Sequence, residues 1–119
     1  MTSSTISVNF DDTADKTVFT ATENCILKLS IASDGSTNHD DATFKLNSTN
    51  IGKYEAYYPK FSDVSTSLAN ILSPMMLAGA RDNEATALIL YLEEGDTVYA
   101  TRKTNNAFTA TFYSAVFTF

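Results

Sequence analysis

The chain has one cysteine, one histidine, no tryptophan, two prolines and four glycines in 119 residues. A lone Cys25 rules out an intramolecular disulfide and a cysteine-based metal site. With Ile26 and Leu27 beside it, it reads as a small buried hydrophobe and not as a reactive thiol. A lone His39 leaves no usual nucleophile, base and orienter triad unless that residue serves. Glycine-rich phosphate loops, paired metal-binding histidines and dinucleotide fingerprints are missing, and no cofactor is expected. No apolar run approaches the about eighteen residues of a membrane span. The start, Met1-Thr2-Ser3-Ser4-Thr5, lacks the basic and apolar regions of a secretory signal, so synthesis in a cytoplasm is expected. Basic residues are scarce: eight Lys plus Arg stand against fourteen Asp plus Glu, a net charge of −6. That field repels phosphate backbones, and neither nucleic acid nor an anionic membrane is an expected partner.

A chain of this length reads as one domain, residues 1–119, with 1–5 as an N-terminal arm ahead of the first strand. Its Thr-rich, Gly-poor composition leans towards strands. Ile6, Val8 and Phe10 alternate at two residues and meet the acidic turn Asp11-Asp12-Thr13-Ala14-Asp15. Thr17 to Thr22 is β-branched and aromatic. Cys25, Leu27, Leu29 and Ile31 then share one face, with Lys28, Ser30 and Ala32 opposite, the pattern of a half-buried strand. Ala42, Phe44 and Leu46 alternate again before the turn-prone Asn47-Ser48-Thr49-Asn50.

The aromatic run Tyr54 to Phe61 contains Pro59, which points to an edge strand or a loop. Ser67 to Leu72 fits one helical turn or a strand, Pro74 ends either, and Met75 to Ala80 reads as a strand. Ala87 to Leu92 is apolar on both faces, as in a strand buried on both sides. Glu93-Glu94-Gly95-Asp96 turns the chain, with Gly95 able to take the positive φ of a tight hairpin. In the last strand Phe108, Ala110 and Phe112 share one parity, while Tyr113, Ala115, Phe117 and Phe119 share the other. A β-bulge at Phe112-Tyr113 would turn both sets inward. Eight to ten short strands without a long amphipathic helix predict an antiparallel two-sheet sandwich or barrel.

The stretch from Thr86 to Tyr99 resembles the strand, Gly-Asp turn and strand of the tumour-necrosis-factor and complement globular-head superfamily. Thr111 to Phe119 is similar to that superfamily's final strand, and Phe19 to Cys25 to an early stretch of it. Cys25 and Ala115 stand where the superfamily often has glycine, and neither a collagen-like stalk nor a membrane anchor is expected ahead of the domain. Among its members the chain most resembles small trimeric structural proteins of bacteriophage virions. The resemblance implies an all-β jelly-roll sandwich, a homotrimer packed around a three-fold axis, and no catalysis. It further implies a location on the virion surface after synthesis in a host cytoplasm. The partner would be the major capsid protein or another virion protein. Capsid decoration or a head fibre is the leading expectation, with a receptor- or glycan-binding tail-fibre tip as the alternative.

Candidate contact residues follow from aromatic content and from freedom of the chain. Tyr91, Phe108, Phe112, Tyr113, Phe117 and Phe119 are expected in the core or at the trimer interface. Met1, Thr2 and Ser3 of the arm, with Tyr54, Tyr57, Tyr58 and Phe61, are the candidate partner contacts, tyrosine being favoured at interfaces. Filling the core or the three-fold interface is the preferred reading of these four aromatics, and Met75, Met76 and Leu77 read as core or subunit interface before any ligand pocket. Asp34 to Asp41 reads as a solvated loop; a Ca²⁺ site from Asp34, Asn38, Asp40 and Asp41 is the alternative, although the spacing departs from the helix-loop-helix pattern. The acid pairs Asp11-Asp12, Asp40-Asp41 and Glu93-Glu94 read as solvated turn charges before any glycosidase pair. Asn47-Ser48-Thr49 fits a glycosylation sequon.

Overall fold

Alternating apolar side chains cannot be buried by one sheet alone, and here two sheets bury them against each other. The computed structural model describes residues 1–32, 40–64, 70–72 and 84–119. The strands are β1 (Thr2–Phe10), β2 (Lys16–Thr20), β3 (Cys25–Ile31), β4 (Asp41–Leu46), β5 (Thr49–Glu55), β6 (Lys60–Ser62), β7 (Ala87–Leu92), β8 (Thr97–Arg102) and β9 (Phe108–Thr118). They form a four-stranded sheet in the order β1-β9-β3-β7 and a five-stranded sheet in the order β2-β8-β4-β5-β6. Every strand pair is antiparallel. The result is an all-β sandwich, with no helix among the described residues. The expected strand over Met75 to Ala80 lies outside the described residues.

At the centre Phe112 of β9 meets three rings from the opposing sheet. It sits edge-on to Phe44 at 5.5 Å and to Tyr54 at 5.1 Å, and stacks on Phe61 at 6.2 Å. Phe10 stacks on Phe108 at 4.6 Å towards the end of the β1·β9 pair. Tyr54 and Phe61 therefore belong to the core, at 0% and 1% exposure, and are not available to a partner. Tyr54 pairs with inward-facing Ala42, and Phe61 with Tyr54. Further along β5 the register shifts: Phe44 faces Gly52, the next pair is Lys45 with Asn50, and Ile51 is the extra residue. The bulge changes the phase of the strand, so that Ile51 and Tyr54 both point inward while Lys53 and Glu55 lie less buried on the other side. Gly52 is the residue that permits it, because a Cβ there would stand 3.1 Å from Val64 Cγ2 and 3.2 Å from the Ser62 carbonyl oxygen.

The turn between β7 and β8 closes no hairpin, because it carries the chain from the four-stranded sheet, where β7 pairs with β3, to the five-stranded one, where β8 pairs with β2 and β4; the positive φ expected at Gly95 is there. Gly95 has φ 93°, and Asp96 N–H donates to the Glu93 carbonyl at 3.0 Å. The Asp96 carboxylate in turn accepts from Glu93 N–H at 2.9 Å. Asn47, the sequon asparagine, is tied to the same corner. Its Nδ2 donates to Asp96 at 3.1 Å, and its Oδ1 accepts from Thr97 N–H at 3.0 Å.

Candidate functional site

β9 keeps one register along its whole length. Its pairing runs unbroken from Thr2↔Val116 to Phe10↔Phe108 on one side and from Cys25↔Thr118 to Ile31↔Phe112 on the other. The bulge expected at Phe112-Tyr113 is therefore absent. Both neighbours are long, regular strands, which hold β9 in phase, and the two parities of aromatics go to opposite faces. Phe108 and Phe112 enter the core, while Tyr113, Phe117 and Phe119 point outward at 56%, 42% and 80% exposure.

These side chains gather on the outer face of the four-stranded sheet. Ile26 of β3 lies opposite Phe117 on one side and Tyr91 of β7 on the other, so the three form a row across the sheet. The Tyr91 ring is 6.1 Å from that of Phe119. In the next row Ala115 is followed by Lys28 and Ile89, and in the one after it Tyr113 by Ser30 and Ala87. Leu72 borders the patch at 38% exposure, its N–H donating to the Ile89 carbonyl at 2.8 Å. Lys28 is the one charged residue among the outward positions of the four strands. Ile26 and Ile89 complete the patch; the signal for Ile89 is the doubly apolar run Ala87 to Leu92, of which only the Leu88, Leu90 and Leu92 face is fully covered, and Ile26 is the apolar exception among the outward residues of β3.

The five-stranded sheet shows the opposite character. Its outer face and rim carry every ion pair among the described residues: Lys16 with Asp11 and Asp12, Lys45 with Asp15, Lys53 with Asp41 and Glu55, and Lys60 with Glu55 and Glu84. Hydrogen bonds from Lys16 hold Asp11 and Asp12 below the usual carboxylate range, and a bond from the Thr101 hydroxyl does the same for Asp15. Burial pushes Glu55 up, but the hydrogen bond and charge of Lys53, with Lys60 and Ser62, outweigh it and bring it down. Bonds to Glu55 and Glu84 raise Lys53 and Lys60 respectively. One outer face is thus built for water, and the other presents an apolar surface larger than isolated exposed side chains would give.

The remaining candidates are dispersed. Met1 is exposed, but Thr2 and Ser3 are strand residues of β1 paired with Val116 and Ala115, so residues 1–5 do not form an arm. Their polar alternation hid a strand that β9 recruits through its backbone. Tyr57 and Tyr58 lie exposed on the β5–β6 turn with rings 5.7 Å apart. Asp34 to His39 and Met75 to Leu77 are outside the described residues; Asp40 is buried and accepts from the Thr104 hydroxyl at 3.3 Å. Among the described residues no three His, Cys, Asp or Glu side chains gather as a metal site would need. Cys25 is buried at 1% exposure, and burial, then the charges of Glu23 and Asp96, push its thiol pKa up. Compared with known proteins, the chain matches no family model, no curated protein and no solved structure.

Proposed function

We propose that the chain is a non-enzymatic structural protein that forms a homotrimer through the outer face of its four-stranded sheet and docks on the shell of a bacteriophage particle. The observation that carries self-association is the contrast between the two outer faces: one laced with ion pairs, the other an apolar row of Ile26, Tyr91 and Phe117 flanked by Tyr113 and Phe119. Covering such aromatics is worth about 1.5 to 3 kcal/mol each, enough for several together to offset the cost of association. The strand orders β1-β9-β3-β7 and β2-β8-β4-β5 interleave early and late strands in both sheets, which supports the jelly-roll reading. The particle setting rests on the resemblance of Thr86 to Tyr99 and Thr111 to Phe119 to the superfamily named above. Three weak contacts per trimer would add through effective concentration.

Light scattering tests the assembly: the expected mass is a multiple of three times 13.0 kDa, and Phe117→Ser with Phe119→Ser lowers it threefold. A concentration-independent monomer before mutation refutes the trimer. Electron micrographs of labelled protein mixed with phage particles test the location. Label over the shell supports decoration. Label at the tail, or on host cells alone, favours the second reading, a receptor- or glycan-binding tip using the exposed pair Tyr57 and Tyr58.

A further inference from the structure

Two open sheets have four edges, and three of them are closed to further pairing. β2 is five residues long, begins on Lys16 and shifts register against β8 between Thr17 and Phe19. β6 has three residues, follows Pro59, and its Phe61 exchanges backbone hydrogen bonds with Ala85 at 2.7 and 2.8 Å. The edge of β7 is covered by residues 70–72: Tyr91 N–H donates to the Asn70 carbonyl at 2.9 Å, and Asn70 Nδ2 donates back to the Tyr91 carbonyl at 2.8 Å. Short strands, lysine, proline, register breaks and covering segments are the devices by which native sheets block edge-to-edge pairing.

β1 has none of them. It is nine residues of Thr, Ser, Ile, Val, Asn and Phe, without charge, proline or glycine, in unbroken register with β9. No strand among the described residues pairs with its far edge. We infer that β1 is an addition edge that receives β1 of a second copy of this chain, antiparallel across a two-fold axis. The register that uses the whole strand sets Ile6 opposite Ile6, Thr5 opposite Ser7 and Ser4 opposite Val8. Every pair is neutral, so the acidity of the chain does not oppose the contact, and each side chain stays on its own side of the sheet. Ile6 gives the specific reason for a second copy: it packs against the core yet remains half-exposed at the open edge, and the partner's Ile6 is the residue that covers it. The product is a continuous eight-stranded sheet. Strand addition lies in the plane of the sheet and leaves its aromatic face free, so it does not depend on the trimer.

The test places charge on the exposed, outward residues Thr5 and Ser7. In the pair, Thr5→Lys with Ser7→Lys sets lysine against lysine twice, whereas Thr5→Glu with Ser7→Lys sets opposite charges together. Sedimentation is expected to give an even multiple of the chain mass for the unmodified protein, half that mass for the double-lysine variant, and the full mass again for the charge-complementary one. A pair of monomers instead of a pair of trimers would refute the three-fold reading and leave this one standing. An odd multiple, or a double-lysine variant of unchanged mass, overturns it. Hydrogen exchange on the unmodified protein needs no variant to fold: protection at successive β1 amides is expected, and fast exchange at alternate ones, the mark of a free edge, overturns the inference.

Discussion

Phe112 and Phe117 are five positions apart on β9 and differ in parity, so replacing each with alanine separates core from face. Phe112 is fully buried and is the one ring of the four-stranded sheet that touches Phe44, Tyr54 and Phe61 together. Removing it leaves a cavity bounded by three rigid rings that have little freedom to collapse, which sets the loss at about 3 to 5 kcal/mol. For 119 residues the entropy of unfolding is about 0.25 kcal/mol per kelvin, so Tm falls by about 12 to 20 °C. Phe117 at 42% exposure loses little of its contact in the separated chain, and Phe117→Ala costs under about 1 kcal/mol there. If the aromatic face is covered by other copies, the cost of Phe117→Ala grows with protein concentration, because association stabilises only the folded chain. Urea and thermal unfolding followed by circular dichroism at two concentrations measure both. A Phe112→Ala protein that loses less than about 1 kcal/mol, or a Phe117→Ala protein that in dilute solution loses as much as Phe112→Ala, would refute the assignment of the two faces.

Gly95→Val is expected to destabilise by more than about 1 kcal/mol, since φ 93° is a poor fit for a β-branched residue; an unchanged Tm would refute this. Cys25 should resist a thiol reagent in the folded protein and react on unfolding, because the buried thiol is both inaccessible and held protonated; labelling of the native chain at the rate of free cysteine would contradict that. Asp11, Asp12, Asp15 and Glu55 titrate lower when folded than their ordinary 3.8 and 4.5, so their stabilisation is present above those values and drains away as pH falls below them. Lys16, Lys53 and Lys60 titrate above 10.5 when folded, so theirs is present below that pH and lost as pH rises through the raised values. Tm measured against pH should therefore be flat in between and fall at both ends, and a fall beginning near neutrality would point to other groups.

Much of the sandwich was legible because period two is a local signal. β3, β4 and the second half of β1 each show it within a few residues, and Gly95 marks the turn between β7 and β8 by type. What failed depended on partners distant in the chain. Thr2 to Thr5 carry no apolar alternation and become strand only because β9 is there to pair with. Two aromatic parities in β9 predict a bulge at Phe112-Tyr113 that would bury both; the actual phase change lies at Ile51, where Gly52 makes room under Val64. Tyr54 and Phe61 enter the core because Tyr54 pairs with inward-facing Ala42 and Phe61 with Tyr54, partners distant in or invisible from the local sequence. Parity separates Tyr113, Phe117 and Phe119 from Phe108 and Phe112 in the sequence, but period two alone does not say which of two equally aromatic sets faces the core.

The position of β9 also governs when the fold can form. It runs between β1 and β3, and Ser4 bonds Ser114 across 110 residues of chain. At about 5 to 20 residues per second a ribosome needs on the order of 5 to 20 seconds to cover that separation. Throughout that interval β1 has neither of its edges occupied, and the four-stranded sheet lacks the strand that joins its parts. Closure of the sandwich therefore waits until β9 has been made, with the slow kinetics that long-range antiparallel pairing imposes. During that wait an uncharged nine-residue strand is held open in every nascent chain of a polysome, close to others in the same condition.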